Sequence, residues 1–299
     1  MMSESTNSVY VNGEFVRAED ATVSVLDRGF QYGDGCFEGI AAVGGRILHL
    51  NEHVDRMFNS ARMLRIDMPV NRDEFRNLIL ETAARSGMKD TPGGYMRPIL
   101  TRGSGPMGIG NSSELEGPTL VIIPRVGDTR LGMDGEIRSL TSVISRYVSP
   151  SASTLDPAIK SLNYLPNMLS YLEAKDRGAD TAIFRTESGL LTEGYGMNFF
   201  VVMGRSVLTP PRHLVLRGIT RRFVLQVARE LGFECAETDL TEYDLQTADE
   251  AFATSSLLGV ARLSSVEGGP IGTPESIPVT LAIRKSYLDL ALATGTVIA

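Results

Sequence analysis

Apolar and polar positions alternate early in the chain, at VYVNGEFV, where Asn12-Gly13 separates two β-prone runs; both residues accept positive φ, so a tight hairpin is predicted there. CFEGIAAV and RILHL flank Gly44-Gly45 in the same way and predict a second hairpin. The period then changes. From Asn51, a candidate N-cap, Val54, Met57, Phe58, Ala61 and Leu64 recur at helical spacing, and Arg56 leaves that helix on a different side. A helix from about Arg72 to Ser86 follows, with Phe75, Leu78, Ile79 and Ala83 on one face and Gly87 suited to the left-handed position beyond its end. YMRPILT and TLVIIP read as strands.

Gly127 to Gly135 mixes glycine with charge and has no apolar period, which marks a boundary between two domains, 1–130 and 131–299. Beyond it a helix is expected near Leu165 to Arg177, with Pro166 in its first turn and Gly178 as its stop. Strands follow at TAIF, LLTE, NFFVV and SVLT, then a helix TRRFVLQVAREL that ends at Gly232. A TEYD capping box precedes strand EAFATSS, and a last helix covers about Ile277 to Ala293. The mixture places the fold class as α/β (α+β) in two domains.

Composition narrows the function classes. At 299 residues and 42% apolar content the chain has material for a sizeable core, and its net charge of -7 opposes a nucleic-acid backbone as partner. No apolar run approaches the roughly 18 residues that a membrane-spanning helix needs. The polar start MMSESTNS lacks a secretory layout, so the expected location is cytoplasmic. Cys36 and Cys235, with His49, His53 and His213, have no metal-ligand spacing, so no metal is expected. GSGPMG, residues 103 to 108, formally satisfies G-x-G-x-x-G, but Pro106 and the polar NSSELEG stand where a dinucleotide fingerprint opens a helix. It reads as a loop, and a nucleotide-binding oxidoreductase is the distant alternative.

Lys160 lies in AIKSLNYLPNML, a passage without the scattered charges of a solvated surface. Most lysines are surface residues with snorkelling stems, but a partly apolar pocket disfavours the ammonium form and frees the amine for a Schiff base. With pyridoxal phosphate, such a base needs a carboxylate facing the ring nitrogen, and Glu193 in LLTEGYGMNFF is a candidate against its plain reading as a turn residue. The phosphate needs backbone amides at a helix start, where Gly218-Ile219-Thr220 opens TRRFVLQVAREL; Thr220 alone also reads as an N-cap. Arg56 is one candidate cation for the phosphate, and Tyr164 is a candidate partner for the ring's phenolic oxygen.

Six ordered motifs carry a resemblance over nearly the whole chain: DRGFQYGDGCFEGI, LNEHVDRM, KSLNYLPN, LTEGYGMNFF, LRGITRR and DEAFATSS. The sequence resembles the class IV, or fold-type IV, pyridoxal-phosphate aminotransferases, and among them the branched-chain type. The resemblance implies that Lys160 bonds the cofactor and shuttles the α-proton. It implies that Arg56, the amides of Ile219 and Thr220 and the Ser256 hydroxyl hold the phosphate, that Glu193 pairs the ring nitrogen, that Tyr164 bonds the ring oxygen and that Leu216 packs on the ring. Phe37 and Gly39 would frame an apolar side-chain pocket. Tyr95 with the amides of Ser256 and Leu257 would receive the α-carboxylate. Tyr95 and Arg97 in YMRP match the branched-chain type's Tyr-x-Arg pair, Arg97 being a candidate contact for the distal carboxylate of glutamate, with folding or the α-carboxylate as its alternative roles.

By the same resemblance the fold is a small α+β N-terminal domain and a pseudo-barrel C-terminal domain carrying the lysine, in a homodimer where Phe37 and the Gly103 loop border the neighbour's site. The implied reaction moves an amino group from an apolar amino acid to a 2-oxo acid such as 2-oxoglutarate. An (R)-selective amine or D-amino-acid transaminase on the same scaffold is the alternative, although Met107-Gly108-Ile109 stands where the D-amino-acid enzymes carry an Arg-x-His trap. Two departures bear on substrate preference: Ala41-Ala42 replaces an arginine that often follows the FEGI run, and Tyr195 in EGYGMN replaces a small residue.

Overall fold

Alternation and helical spacing build the elements largely where they are expected in this computed structural model, which describes residues 8–110, 114–127, 131, 136–273 and 276–299. The expected boundary segment lies mostly outside these, at 128–130 and 132–135. The chain divides into two compact units, one of Met1–Thr129, Ile159–Asn163 and Ala291–Ala299, the other of Arg130–Ala158 and Tyr164–Leu290. The first unit takes back two segments that a single cut at residue 130 would leave downstream.

The first unit starts with strands β1 (Ser8–Val11) and β2 (Glu14–Arg17), joined by Asn12 and Gly13 at φ 46° and 102°. After helix α1 (Arg28–Tyr32), the run CFEGIAAV splits into β3 (Gly35–Phe37) and β4 (Ile40–Val43), and β5 (Arg46–Ile47) completes the second hairpin. Helix α2 (Leu50–Met63) begins one residue before Asn51, with His49 as its cap. Asn51 is therefore not the N-cap; its side chain accepts from Arg76 Nε instead. Helix α3 (Arg72–Arg85) opens with an Asn71/Glu74 capping box, and Gly87 follows at φ 72°. Strands β6 (Gly93–Thr101) and β7 (Thr119–Val126) complete the long central pair.

In the second unit come β8 (Ser139–Val148), α4 (Leu165–Asp176), β9 (Thr181–Arg185), β10 (Leu191–Gly194), β11 (Asn198–Met203) and β12 (Ser206–Thr209). Then α5 (Ile219–Glu230), β13 (Glu234–Glu237), α6 (Glu242–Gln246), β14 (Glu250–Ser255), β15 (Gly259–Val266), β16 (Gly269–Pro270) and α7 (Pro278–Thr294) follow. From Ala291, within α7, the chain belongs to the first unit, where the short β17 (Thr296–Val297) pairs with β5.

Among the described residues the first sheet runs β17-β5-β4-β6-β7-β1-β2, with β3 on β6. Its strands alternate. Met96, Leu100, Ile122, Ile40 and Ala42 enter one core with Val54, Met57 and Ala61 of α2 and Phe75, Ile79 and Ala83 of α3. Residues of the other parity, including Tyr95 and Arg97, stand on the opposite face. The second sheet runs β10-β9-β8-β15-β14-β11-β12-β13 and joins β8 to β9 and to β15 in parallel, as expected of the mixed α/β pseudo-barrel.

Candidate active site

Lys160 is placed by backbone bonds, not by a helix. Its carbonyl accepts from Phe37 N–H, its N–H donates to Ser60 Oγ, and Leu162 N–H donates to Gly35 O. Together with the Cys36–Ser161 bridge, these bonds stitch Ile159–Asn163 to β3, which is why the segment belongs to the first unit. The Lys160 amine stands 4.5 Å from the Phe37 ring centroid, and the Arg97 guanidinium stands at the same 4.5 Å. Arg97 also faces the Tyr95 ring at 5.3 Å. Gly39 is required beside them: a Cβ there would lie 2.2 Å from Tyr95 Oη.

Arg56 leaves α2 away from its apolar stripe, yet its side chain is only 13% exposed because it grips Glu38. Nε donates to Oε1 and Nη2 to Oε2, both at 2.7 Å, and His53 Nδ1 lies 2.7 Å from Oε2. Burial alone would raise the Glu38 pKa, but Arg56 and then His53 outweigh it and hold the carboxyl well below the usual carboxylate range. Burial lowers the His53 pKa; Glu38 opposes this, while Arg56 and Lys160 reinforce it. His53 is therefore neutral at pH 7, and its Nδ1–H donates to the carboxylate. The Cys36 thiol, buried near this carboxylate, is pushed up to about 12 and stays protonated.

In the second unit Glu193 Oε2 accepts from Asn198 Nδ2 and from Leu216 N–H, each at 3.0 Å. Asn198 also donates to Leu216 O, and Gly218 lets it approach: a Cβ on Gly218 would lie 2.0 Å from Asn198 Oδ1. One side chain thus ties the carboxylate on β10 to the turn that starts α5. Gly218, not Thr220, is the N-cap of α5; the Thr220 hydroxyl lies 3.4 Å from Tyr287 Oη. No side chain caps this helix, its first turn has no acidic residue, and Arg221 and Arg222 lie there. That inverts the usual bias of acids toward helix starts and suits an anion at the amides of Ile219 and Thr220.

Tyr164 is half-buried at the N-cap of α4, and Ser256 and Leu257 sit on the turn between β14 and β15. Tyr195, the bulky residue of EGYGMN, packs edge to face on Tyr171 at 5.3 Å, and its carbonyl accepts from Asn167. The expected residues thus form two groups. Phe37, Gly39, Arg56, Tyr95, Arg97 and Lys160 belong to the first unit, where Phe37 links Lys160 to Arg97. Glu193, Leu216, Ile219 and Thr220 lie around the start of α5 in the second, while Tyr164, Ser256 and Leu257 are on other turns. Glu38, His53 and Asn198 are additions. A glutamate inside the apolar run CFEGIAAV was the available signal for the first, since acids are rarely buried without partners.

A primary amine over an aromatic ring in the first unit, and in the second unit an oriented carboxylate and an uncapped helix start with basic residues, are each a kind of group that an aldehyde-bearing aromatic phosphate requires. The family model described as amino-transferase class IV matches residues 35–266. A putative branched-chain-amino-acid aminotransferase of Methanocaldococcus jannaschii is 37% identical over 96% of this chain and 97% of its own. A branched-chain aminotransferase structure from Thermoproteus uzoniensis with norvaline aligns over 98% of this chain and 99% of its own, at TM-score 0.89 and 26% identity. A second, from Thermobaculum terrenum in its PLP form, aligns over 97% of this chain and 95% of its own, at TM-score 0.85 and 26% identity.

Proposed function

The chain belongs to the amino-transferase class IV family and is an aminotransferase, and from that premise we propose how its residues carry the reaction. It transfers the amino group of an apolar, branched-chain-type amino acid to a 2-oxo acid such as 2-oxoglutarate, with pyridoxal phosphate as cofactor. The relatives' names, with norvaline in one solved structure and the PLP form in another, support this reading. When bound, the cofactor supplies the electron sink that stabilises negative charge at the substrate's α-carbon.

Lys160 provides the nucleophilic amine and moves the α-proton; its amine over Phe37, on a segment fixed by backbone bonds, is the observation that carries the proposal. Arg56, with its guanidinium plane fixed by Glu38, holds the phosphate together with the Ile219 and Thr220 amides and Ser256. Glu193, oriented by Asn198 and Leu216 N–H, keeps the ring nitrogen protonated. Tyr164 bonds the ring oxygen and Leu216 packs on the ring. Phe37 and Gly39 frame the apolar pocket, Tyr95 with the Ser256 and Leu257 amides takes the α-carboxylate, and Arg97 takes a distal carboxylate.

The enzyme acts as a homodimer in the cytoplasm. Val25, Phe30, Met107 and Ile109 are each more than 70% exposed, and hydrogen bonds from Arg28 to Gly108 O and Ile109 O hold their two loops together, so an apolar patch is available for a second copy. Both cysteines are free, which suits a reducing compartment. Among the described residues no helix is long and apolar enough to cross a membrane.

A donor panel tests the function. Purified protein supplied with cofactor should turn yellow and convert L-leucine with 2-oxoglutarate faster than D-alanine or 1-phenylethylamine. Faster turnover of either of the latter two would overturn the substrate assignment. Light scattering tests the dimer, and a monomeric mass would overturn it.

A further inference from the structure

Arg125 on β7 lies directly opposite Tyr95 on β6, and its guanidinium stands 5.8 Å from the Tyr95 ring centroid. Arg97, two residues along β6, faces the same ring at 5.3 Å. Side chains opposite or diagonal across an antiparallel pair share one face, so both guanidiniums stand with Tyr95 on the face away from the helical core. Ala41 of β4 is the residue on the other side of Tyr95. The row Ala41–Tyr95–Arg125 therefore has a small residue on one flank of the tyrosine and a cation on the other.

Two like charges at diagonal positions repel each other. Among the described residues, neither Arg97 nor Arg125 has a carboxylate or carbonyl partner; their recorded contacts are with the Phe37 and Tyr95 rings. A carboxylate between two guanidinium forks would relieve that repulsion and gain charge-assisted hydrogen bonds. Arg97 is half-buried and shares the Phe37 ring with Lys160, while Arg125 is exposed on the side of Tyr95 away from β4. Arg97 thus shares a ring with the reacting amine, whereas Arg125 meets solvent.

We infer that Arg125 is a second carboxylate-binding residue, which together with Arg97 clamps the distal carboxylate of a dicarboxylic substrate and makes the site selective for 2-oxo diacids over 2-oxo monoacids. This rests on the aminotransferase reading and adds a specificity residue to it.

The test uses the holoenzyme and Arg125→Gln, with Arg125→Lys as the conservative variant. For Arg125→Gln the KM for 2-oxoglutarate should rise about tenfold, the loss of one charge-assisted bond, while kcat and the KM for pyruvate stay within about twofold. Arg125→Lys should recover part of the loss. Calorimetry with glutarate, which cannot be transaminated, should show about tenfold weaker binding to Arg125→Gln. Binding of 4-methylvalerate should be unchanged. Glutarate affinity and 2-oxoglutarate KM at parental values would overturn the inference and leave the aminotransferase reading standing. Equal loss with glutarate and 4-methylvalerate would also overturn it, because Arg125 would then serve structure. A parent that fails to transaminate, but whose glutarate affinity depends on Arg125, would sustain the dicarboxylate clamp and overturn the reaction instead.

Discussion

Glu38 receives Arg56 through two parallel hydrogen bonds of 2.7 Å, at a carboxylate with no solvent exposure. The pair joins the break between β3 and β4 to α2, and it fixes the guanidinium proposed to hold the cofactor's phosphate. Glu38→Gln keeps the shape and removes the charge. Breaking a buried pair by removing one partner costs about 3 kcal/mol. Denaturant unfolding should register this loss, and cofactor titration should register weaker binding, because the plane of Arg56 is no longer held.

Acid should destabilise the protein in two stages. His53 has a pKa lowered in the fold, so the unfolded chain binds its proton first and stability falls as pH drops below about 6.5. Glu38 is also held low, so its contribution is present above the unfolded value of about 4.3 and is lost as pH falls from there toward its folded value. Thermal midpoints measured from pH 8 to pH 4 should decline, and His53→Gln should flatten the part between pH 7 and pH 5.5.

Gly218→Ala should disturb the second unit's group around Glu193. A Cβ would lie 2.0 Å from Asn198 Oδ1, so Asn198 must move and Glu193 loses an Oε2 donor. Overpacking strain of about 1–3 kcal/mol corresponds to roughly five- to hundredfold weaker cofactor binding if it falls on the bound state. Absorbance of the variant after dialysis measures this directly.

Arg97→Ala should separate the two acceptors. Losing a charge-assisted bond of about 1.5 to 3 kcal/mol lowers kcat/KM with 2-oxoglutarate roughly ten- to hundredfold and changes pyruvate little. Equal losses with both acceptors would assign Arg97 to the α-carboxylate or to folding.

Lys160, Glu193 and the start of α5 were legible because each is announced locally: an amine in an apolar run, an acid at a strand end, a glycine before a helix. Glu38 was not. Its partner is 18 residues away on α2, and only the fold of the sheet against that helix brings the two together. The same limit applies to Arg125, whose place beside Tyr95 depends on the register of β6 with β7. Helix starts failed by small amounts for the same physical reason: Asn51 has good capping chemistry, but burial of Leu50 draws the cap two residues further back, to His49, and Arg76 takes the asparagine side chain.

Borohydride reduction of the yellow holoenzyme, followed by peptide mass analysis, tests the central claim most directly. The account predicts a phosphopyridoxyl label on the peptide containing Lys160 and none on Lys89, Lys175 or Lys285. A label on another lysine, or full activity from Lys160→Ala, would contradict it.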